Sequence, residues 1–257
     1  MLKENAGLNK MTKETKKWWE YNSRYYQETC KIPIDAHYGP GAPNEAHLKL
    51  LGNVKGKKLL EIGCGGAQCG IYFAKQGAKV TGIDISTEQL KFAKALVKKN
   101  KVNIKLYKGD IRTLPQIKSN SQDIVFSAYA LHYVDNLESC FKEVHRVLKK
   151  NGIFVFSLDH PFWNITDPKK LRIKKSYFNT GKYVEVFSDK TKKFVAYTHK
   201  VSDFFNLLTE AGFLVEKIIE PDSRKKYYHD VCYGLWDYQP KIMNLIPPTI
   251  IFKARKK

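Results

Sequence analysis

Nine residues, Leu59-Leu60-Glu61-Ile62-Gly63-Cys64-Gly65-Gly66-Ala67, set an acid and three glycines at the end of an apolar run, and Asp84 follows 19 residues past Gly65. Glycines after a buried strand let the backbone turn tightly and approach a ligand closely, and a helix that follows presents its positive end there. An acid closing the next strand accepts both hydrogens of a ribose diol. Three histidines offer proton transfer. His132 lies in Tyr129-Ala130-Leu131-His132-Tyr133 and His160 in Asp159-His160-Pro161-Phe162; these two are the candidate catalytic residues. His132 also reads as a loop histidine packing the ligand side, and His199 as a surface or capping residue. No CxxC or Cys/His ligand spacing occurs, so no metal site is expected.

These residues need elements to position them. Residues 57–63 read as an apolar strand ending in the glycine loop, 68–76 as a helix closed by Gly77, and 79–84 as a second strand ending in the acid. Ser86 is an N-cap and Gln89 stands at the capping-box position of a helix reaching about Lys99, with Leu90, Ala93, Leu96 and Val97 at helical spacing. Strands follow at 103–107 and 123–127, then a helix at 137–149 stopped by Asn151-Gly152, and a fifth strand at 153–158. A helix at 201–211 and strands at 214–219 and 249–253 complete the pattern. Such alternation implies crossovers between parallel strands, with helices on both faces. The expected fold is α/β, a Rossmann-like seven-stranded mostly parallel sheet with a small β-rich insertion after strand five. The expected division is 1–44, an N-terminal aromatic helical segment; 45–159, the ligand-binding core; 160–200, the insertion; and 201–257, the C-terminal part of the core sheet.

Two adenosine-bearing cofactors share the logic of the glycine loop, a dinucleotide and S-adenosylmethionine. Three features favour the second. Gln68 replaces the third glycine of G-x-G-x-x-G, Glu61 precedes Gly63 where a cationic amine suits better than a pyrophosphate, and Gly109-Asp110 after the third strand suits an adenine edge. Here the chain resembles the class I S-adenosylmethionine-dependent methyltransferases, particularly the "type 11" group akin to the ubiquinone and menaquinone biosynthesis enzymes. The likeness is good over residues 45–160 and loose toward the C-terminus. Glu143-Val144-His145-Arg146-Val147-Leu148-Lys149-Lys150-Asn151-Gly152 matches the family's helix before strand five, with Lys150-Asn151-Gly152 in place of the usual Pro-Gly-Gly turn. The resemblance implies that Glu61, Gly63, Cys64 and Gly65 line the methionine portion of S-adenosyl-L-methionine. It puts Asp84 on the ribose hydroxyls with Ile85 against adenine, Asp110 on the adenine amine with Ile111 beside it, and Ser127 near the sulfonium. In similar enzymes an N-terminal helix closes over the cofactor; the cluster Trp18, Trp19, Tyr21, Tyr25 and Tyr26 fits such a lid or plain packing on the sheet's helical layer. Trp19, Phe162 and Trp163 are expected on the substrate side.

The chain carries 45 basic and 25 acidic residues, a formal +20. The density is uneven: residues 161–200 hold 10 basic against 3 acidic. The bases are 39 Lys and 6 Arg, which suits a solvated surface better than bidentate phosphate recognition. Two acceptor classes remain. Aromatics in the insertion (Trp163, Tyr177, Phe178, Tyr183, Phe187) suit a small, mostly apolar molecule, and the run at residues 169–175 suits tRNA or rRNA. A non-catalytic S-adenosylmethionine-binding protein is the third reading, and a nicotinamide dehydrogenase is disfavoured by Glu61 and Gln68. No apolar stretch reaches the ~18 residues of a spanning helix and the N-terminus lacks a secretory h-region, so a cytoplasmic protein without a membrane partner is expected. Five cysteines, an odd number, are expected as thiols rather than a disulfide framework. Met11 offers a second start beside Met1.

Overall fold

The computed structural model describes residues 10–167, 169–186, 193–224 and 240–257. Met1 and Phe187, singled out above, and Cys232, one of the five cysteines, lie outside them.

An N-terminal helix, α1 (Lys10–Cys30), and a short α2 (Glu45–Leu48) precede the sheet. The core then alternates through β1 (Lys58–Ile62), α3 (Gln68–Lys75), β2 (Lys79–Asp84), α4 (Thr87–Lys99), β3 (Ile104–Lys108) and β4 (Gln122–Ala128). A 3-10 turn (Leu131–Tyr133), α5 (Leu137–Val147) and β5 (Leu148–Asp159) follow. After β5 come α6 (Pro161–Asn164), β6 (Thr166–Asp167), β7 (Arg172–Ile173), β8 (Gly181–Val186) and β9 (Lys193–Thr198). The chain closes with α7 (Val201–Glu210), β10 (Phe213–Ile219), α8 (Pro240–Met243) and β11 (Thr249–Lys256).

Seven strands form one sheet in the order β10-β11-β5-β4-β1-β2-β3, parallel except for β11, which runs against both neighbours. From β1 the chain winds outward to β2 and β3, then returns to β4 and β5 on the other side. That reversal opens a crevice at the carboxyl ends of β1 and β4, where ligands of open α/β sheets bind. Both faces are covered. Phe141, Phe154, Phe156 and Phe204 pack on one side, and Leu59, Phe73 and Phe126 on the other. Burial on both faces explains why β1 and β4 read as continuous apolar runs. Residues after β5 form two small antiparallel pairs, β6–β7 and β8–β9.

Three local expectations change. β5 begins at Leu148, not at residue 153, and the register against β4 shifts between Gln122 and Ile124. Residues 149–152 bulge out there, and Asn151 takes φ +63°, a conformation Asn tolerates. The capping box of α4 is half formed: Ser86 Oγ accepts the Gln89 N–H at 3.2 Å, but the Gln89 side chain bonds Gln27 and Asp84 receives the Ser86 N–H. Cys64, Cys69 and Cys140 are buried thiols, whereas Cys30 is disulfide-bonded. Among the described residues no helix is long and apolar enough to cross a membrane.

Candidate active site

A cavity of about 220 Å³ lies at the predicted crevice, at the carboxyl ends of β1, β2, β4 and β5. The glycine loop forms its floor. Gly63 and Gly65 take φ +67° and +50°, and a Cβ on Gly63 would stand 2.2 Å from the Ala130 Cβ. Only glycine lets the loops after β1 and β4 touch.

Two carboxylates stand beside this loop. Asp84 ties it to α4, accepting the Gly65 N–H and the Ser86 N–H at 2.8 Å each. Burial nevertheless pushes its pKa up to about 6. Glu61, on β1, is 4% exposed and its Oε2 has no hydrogen-bond partner among the described residues. Burial raises its carboxyl to about 8, the Gly70 N–H pulls it down, and the Asp84 charge adds to the rise. A buried carboxylate oxygen left without a donor selects a cationic N–H group as its ligand.

Farther along the wall, Asp110 is held by Arg112, whose Nε and Nη2 reach both carboxylate oxygens at 2.6–3.1 Å. Arg112 Nη1 also donates to Asp135 at 2.7 Å. Ile85 and Ile111 flank these groups on the lining.

The opposite end is aromatic. Trp19 meets Tyr26 and Tyr133 edge to face at 5.3 and 5.5 Å, and Tyr133 meets Phe194 the same way at 5.7 Å. His132 packs on Tyr133 with ring centroids 4.0 Å apart. It is buried, and its Nδ1 has no hydrogen-bond partner among the described residues. Burial lowers its pKa, against the opposing pull of Asp159, so the imidazole is neutral at pH 7. Burial raises the Tyr133 phenol well above its usual value, with Tyr26 and Asp159 adding to the rise, so that hydroxyl keeps its proton.

Helix α1 roofs the cavity. The Glu20 carboxylate accepts the Thr87 and Glu88 N–H groups at 3.0 and 3.1 Å, occupying the amino end of α4. Gln27 bonds Gln89 at 2.8 Å and Gln68 at 2.7 Å. Trp18 is buried, whereas Tyr21 and Tyr25 are exposed. The aromatic stripe therefore divides, with Trp19 and Tyr26 on the cavity and the other two in solvent.

Glu61, Gly63, Cys64, Gly65, Asp84, Ile85, Asp110, Ile111, Trp19 and His132 share the cavity wall. Ser127, His160, Phe162, Trp163 and His199, also singled out from the sequence, lie off it. Ser127 is buried beneath the floor, its Oγ donating to the Ile62 carbonyl at 3.0 Å. His160 caps α6 through Nδ1, which accepts the Phe162 N–H, and its Nε2 lies 2.8 Å from Glu220. Phe162 stacks on Tyr177, and Trp163 packs with Ile242 and Met243. His199 lies against Phe204. Wall residues that sequence reasoning passed over include Gln27, Arg112, Asp159 and Phe194. Asp159 closes β5 as Asp84 closes β2, so the same rule could have found it. Phe194 and Gln27 reach the cavity only through long-range packing.

A methyltransferase-domain family model matches residues 60–156. The chain is 30% identical over 224 residues to an uncharacterized protein of Haemophilus influenzae, covering 81% of this chain and 85% of that one. It is 24% identical over 239 residues to the ubiquinone biosynthesis O-methyltransferase of Rickettsia canadensis, covering 91% of each. A solved structure from Listeria monocytogenes, assigned as an S-adenosylmethionine dependent methyltransferase, superposes with a TM-score of 0.67 at 28% identity, over 83% of this chain and 96% of that one. With the glycine loop, the buried acids and the sheet order in place, the chain belongs to the class I S-adenosylmethionine-dependent methyltransferases, and its cofactor is S-adenosyl-L-methionine.

Proposed function

We propose that this methyltransferase acts on a small-molecule acceptor held at the aromatic end of the cavity, with His132 as proton acceptor. The carrying observation is the enclosure. The cavity is roofed by α1 and walled on one side by Trp19, Tyr133 and Phe194. Residues 169–174 of the basic run are exposed, and no residue from 169 to 175 lines the cavity. The Rickettsia relative, named for ubiquinone biosynthesis, supports a small acceptor.

When bound, S-adenosyl-L-methionine supplies a methyl group already activated on a sulfonium. The protein's work is placement and exclusion of water. In this reading Glu61 takes the amine of the methionine portion, and Gly63, Cys64 and Gly65 allow its close approach. Asp84 receives the ribose hydroxyls beside Ile85. Asp110, steadied by Arg112, meets the adenine edge beside Ile111. Ser127 braces the floor through Ile62. His132 removes a proton from the acceptor, since its imidazole is neutral and Nδ1 has no hydrogen-bond partner among the described residues. His160, engaged by Phe162 and Glu220, holds the start of α6.

Labelled methyl transfer tests this directly, with cell metabolites and unmodified total RNA offered in parallel. Label in small molecules alone is the expected result; label in RNA alone would reverse the reading. His132→Asn should lower kcat by about 10²–10⁴-fold, the usual scale for losing a general base. Calorimetric affinity for S-adenosylhomocysteine should stay within about twofold, because uniform binding is untouched.

A further inference from the structure

The insertion after β5 exposes apolar side chains among lysines. Ile173 is 68% exposed and Phe178 80%, and Phe162, Leu171, Tyr183 and Val184 are exposed as well. Single exposed apolar residues are ordinary, but neighbouring ones mark a contact surface. The segments that carry these residues touch one another. Phe162 stacks on Tyr177 at 5.0 Å, and Tyr177 meets Phe178 edge to face at 6.0 Å. Lys175 Nζ stands 5.3 Å over the Tyr183 ring. Ile173 pairs with Thr166 across β6–β7, and the Lys174 N–H donates to the Ile165 carbonyl at 2.8 Å, which holds β7 against the end of α6.

Six basic residues and no acid stand between positions 169 and 184. Lys182 is paired with Glu14 at 3.3 Å. Asp167, at the hairpin, is held below the usual carboxylate range by the Lys170 N–H and, further, by the charges of Lys170 and Arg172. Lys175 is pulled below its usual value by burial and then by the charge of Lys174. Two ammonium groups that oppose each other are relieved by an anion placed over both.

We infer that this insertion docks on an anionic lipid surface, with Ile173 and Phe178 entering the headgroup layer and Lys170, Arg172 and Lys174 meeting the lipid phosphates. The mixture of side chains decides the partner. The core of a protein interface is depleted in lysine, whereas here lysines alternate with the apolar residues. RNA is gripped by cations and by planar groups that stack on bases; the aliphatic Leu171, Ile173 and Val184 offer it neither. The boundary between headgroups and acyl chains takes both kinds within a few ångströms, apolar tips below and ammonium groups above. Such docking needs no spanning helix, so it is compatible with the absence of one among the described residues. The ribbon also reaches the active site, since Glu185 on β8 pairs with Phe194 of the cavity wall.

Vesicle binding requires no turnover, so it is tested apart from the acceptor. The full chain is sedimented with vesicles of phosphatidylglycerol and phosphatidylcholine in equal parts, and with phosphatidylcholine vesicles alone. The anionic vesicles should bind at least about tenfold more tightly, the scale expected when several cations meet acidic headgroups. Ile173→Ser with Phe178→Ser leaves the charge unchanged and should weaken that binding by about tenfold or more. Lys170→Gln with Lys174→Gln should weaken it and lessen its dependence on salt. None of these four positions lines the cavity, and the thermal midpoint of each pair should stay within about 2 °C of the parent, as for exposed sites. Equal binding to both vesicles overturns the inference, and so does anionic binding that the Ile173→Ser, Phe178→Ser pair leaves intact. A midpoint lowered by more than about 5 °C in that pair would mean that the chain itself covers these side chains, which also overturns it. Retention on total RNA without vesicle binding assigns the surface to nucleic acid instead. A dimer in solution that the same pair dissolves, again without vesicle binding, assigns it to a second copy.

Discussion

At the residue scale the central feature is a pair of acids kept out of water. Glu61 near 8 and Asp84 near 6 are raised carboxyls, so charging them opposes folding. The free protein therefore loses stability as pH rises from the ordinary carboxylate range through these values. A ligand that brings a cationic amine to Glu61 needs the carboxylate form. Affinity for S-adenosylhomocysteine should thus weaken roughly tenfold for each pH unit below about 8, and binding at pH 7 should release a proton, read from calorimetry in buffers of different ionisation enthalpy. Glu61→Gln should abolish both effects and weaken binding by about 1.5–3 kcal/mol, as expected for a lost charge-assisted hydrogen bond. At this scale the sequence was most legible. Gly63, Gly65, Glu61 and Asp84 lie in two short segments whose types and spacing already imply a cofactor. Asp159 was legible by the same rule, but no glycine loop drew attention to it.

At the element scale α1 is fixed to the core by a helix end. Burial would raise the Glu20 carboxyl, but the Thr87 and Glu88 N–H groups and the Lys108 charge hold it below its usual value. The contact is therefore present at neutral pH and is lost as pH falls through the folded value. Glu20→Ala should cost about 1 kcal/mol, the usual worth of an N-terminal cap, seen as a lower urea midpoint with an unchanged slope. It should also raise the dissociation constant for S-adenosylhomocysteine, because Gln27 is carried on the same helix. A variant with full affinity would show that α1 contributes packing alone. The strands and helices of the core were readable because each is long, periodic and capped. The extension of β5 back to Leu148 was not, because four bulged residues, Lys149 to Gly152, interrupt the apolar run. The docking of α1 was not readable either: Glu20 and Thr87 meet across 67 positions, and no local period records such a contact.

At the scale of the whole molecule the densest positive charge, that of residues 161–200, is separate from the cavity. The basic run after β6 lies in solvent, away from the cavity wall. Replacing Lys169, Lys170 and Lys174 together by Gln should leave kcat/KM for a small acceptor within about twofold while flattening any salt dependence of RNA retention. A fall beyond about tenfold would mean that substrate reaches the insertion on its way in. One more consequence belongs to α1. The helix holds α4 and α3 through Glu20 and Gln27 and meets Tyr133 through Trp19, so on the proposed reading both ligands pass beneath the same helix. Whichever binds deeper must enter first and leave last. On the proposed reading the donor seat lies under the Glu20 contact, so turnover should follow a compulsory order: donor, acceptor, methylated product, spent donor. Product inhibition by S-adenosylhomocysteine would then be competitive against the donor and noncompetitive against the acceptor.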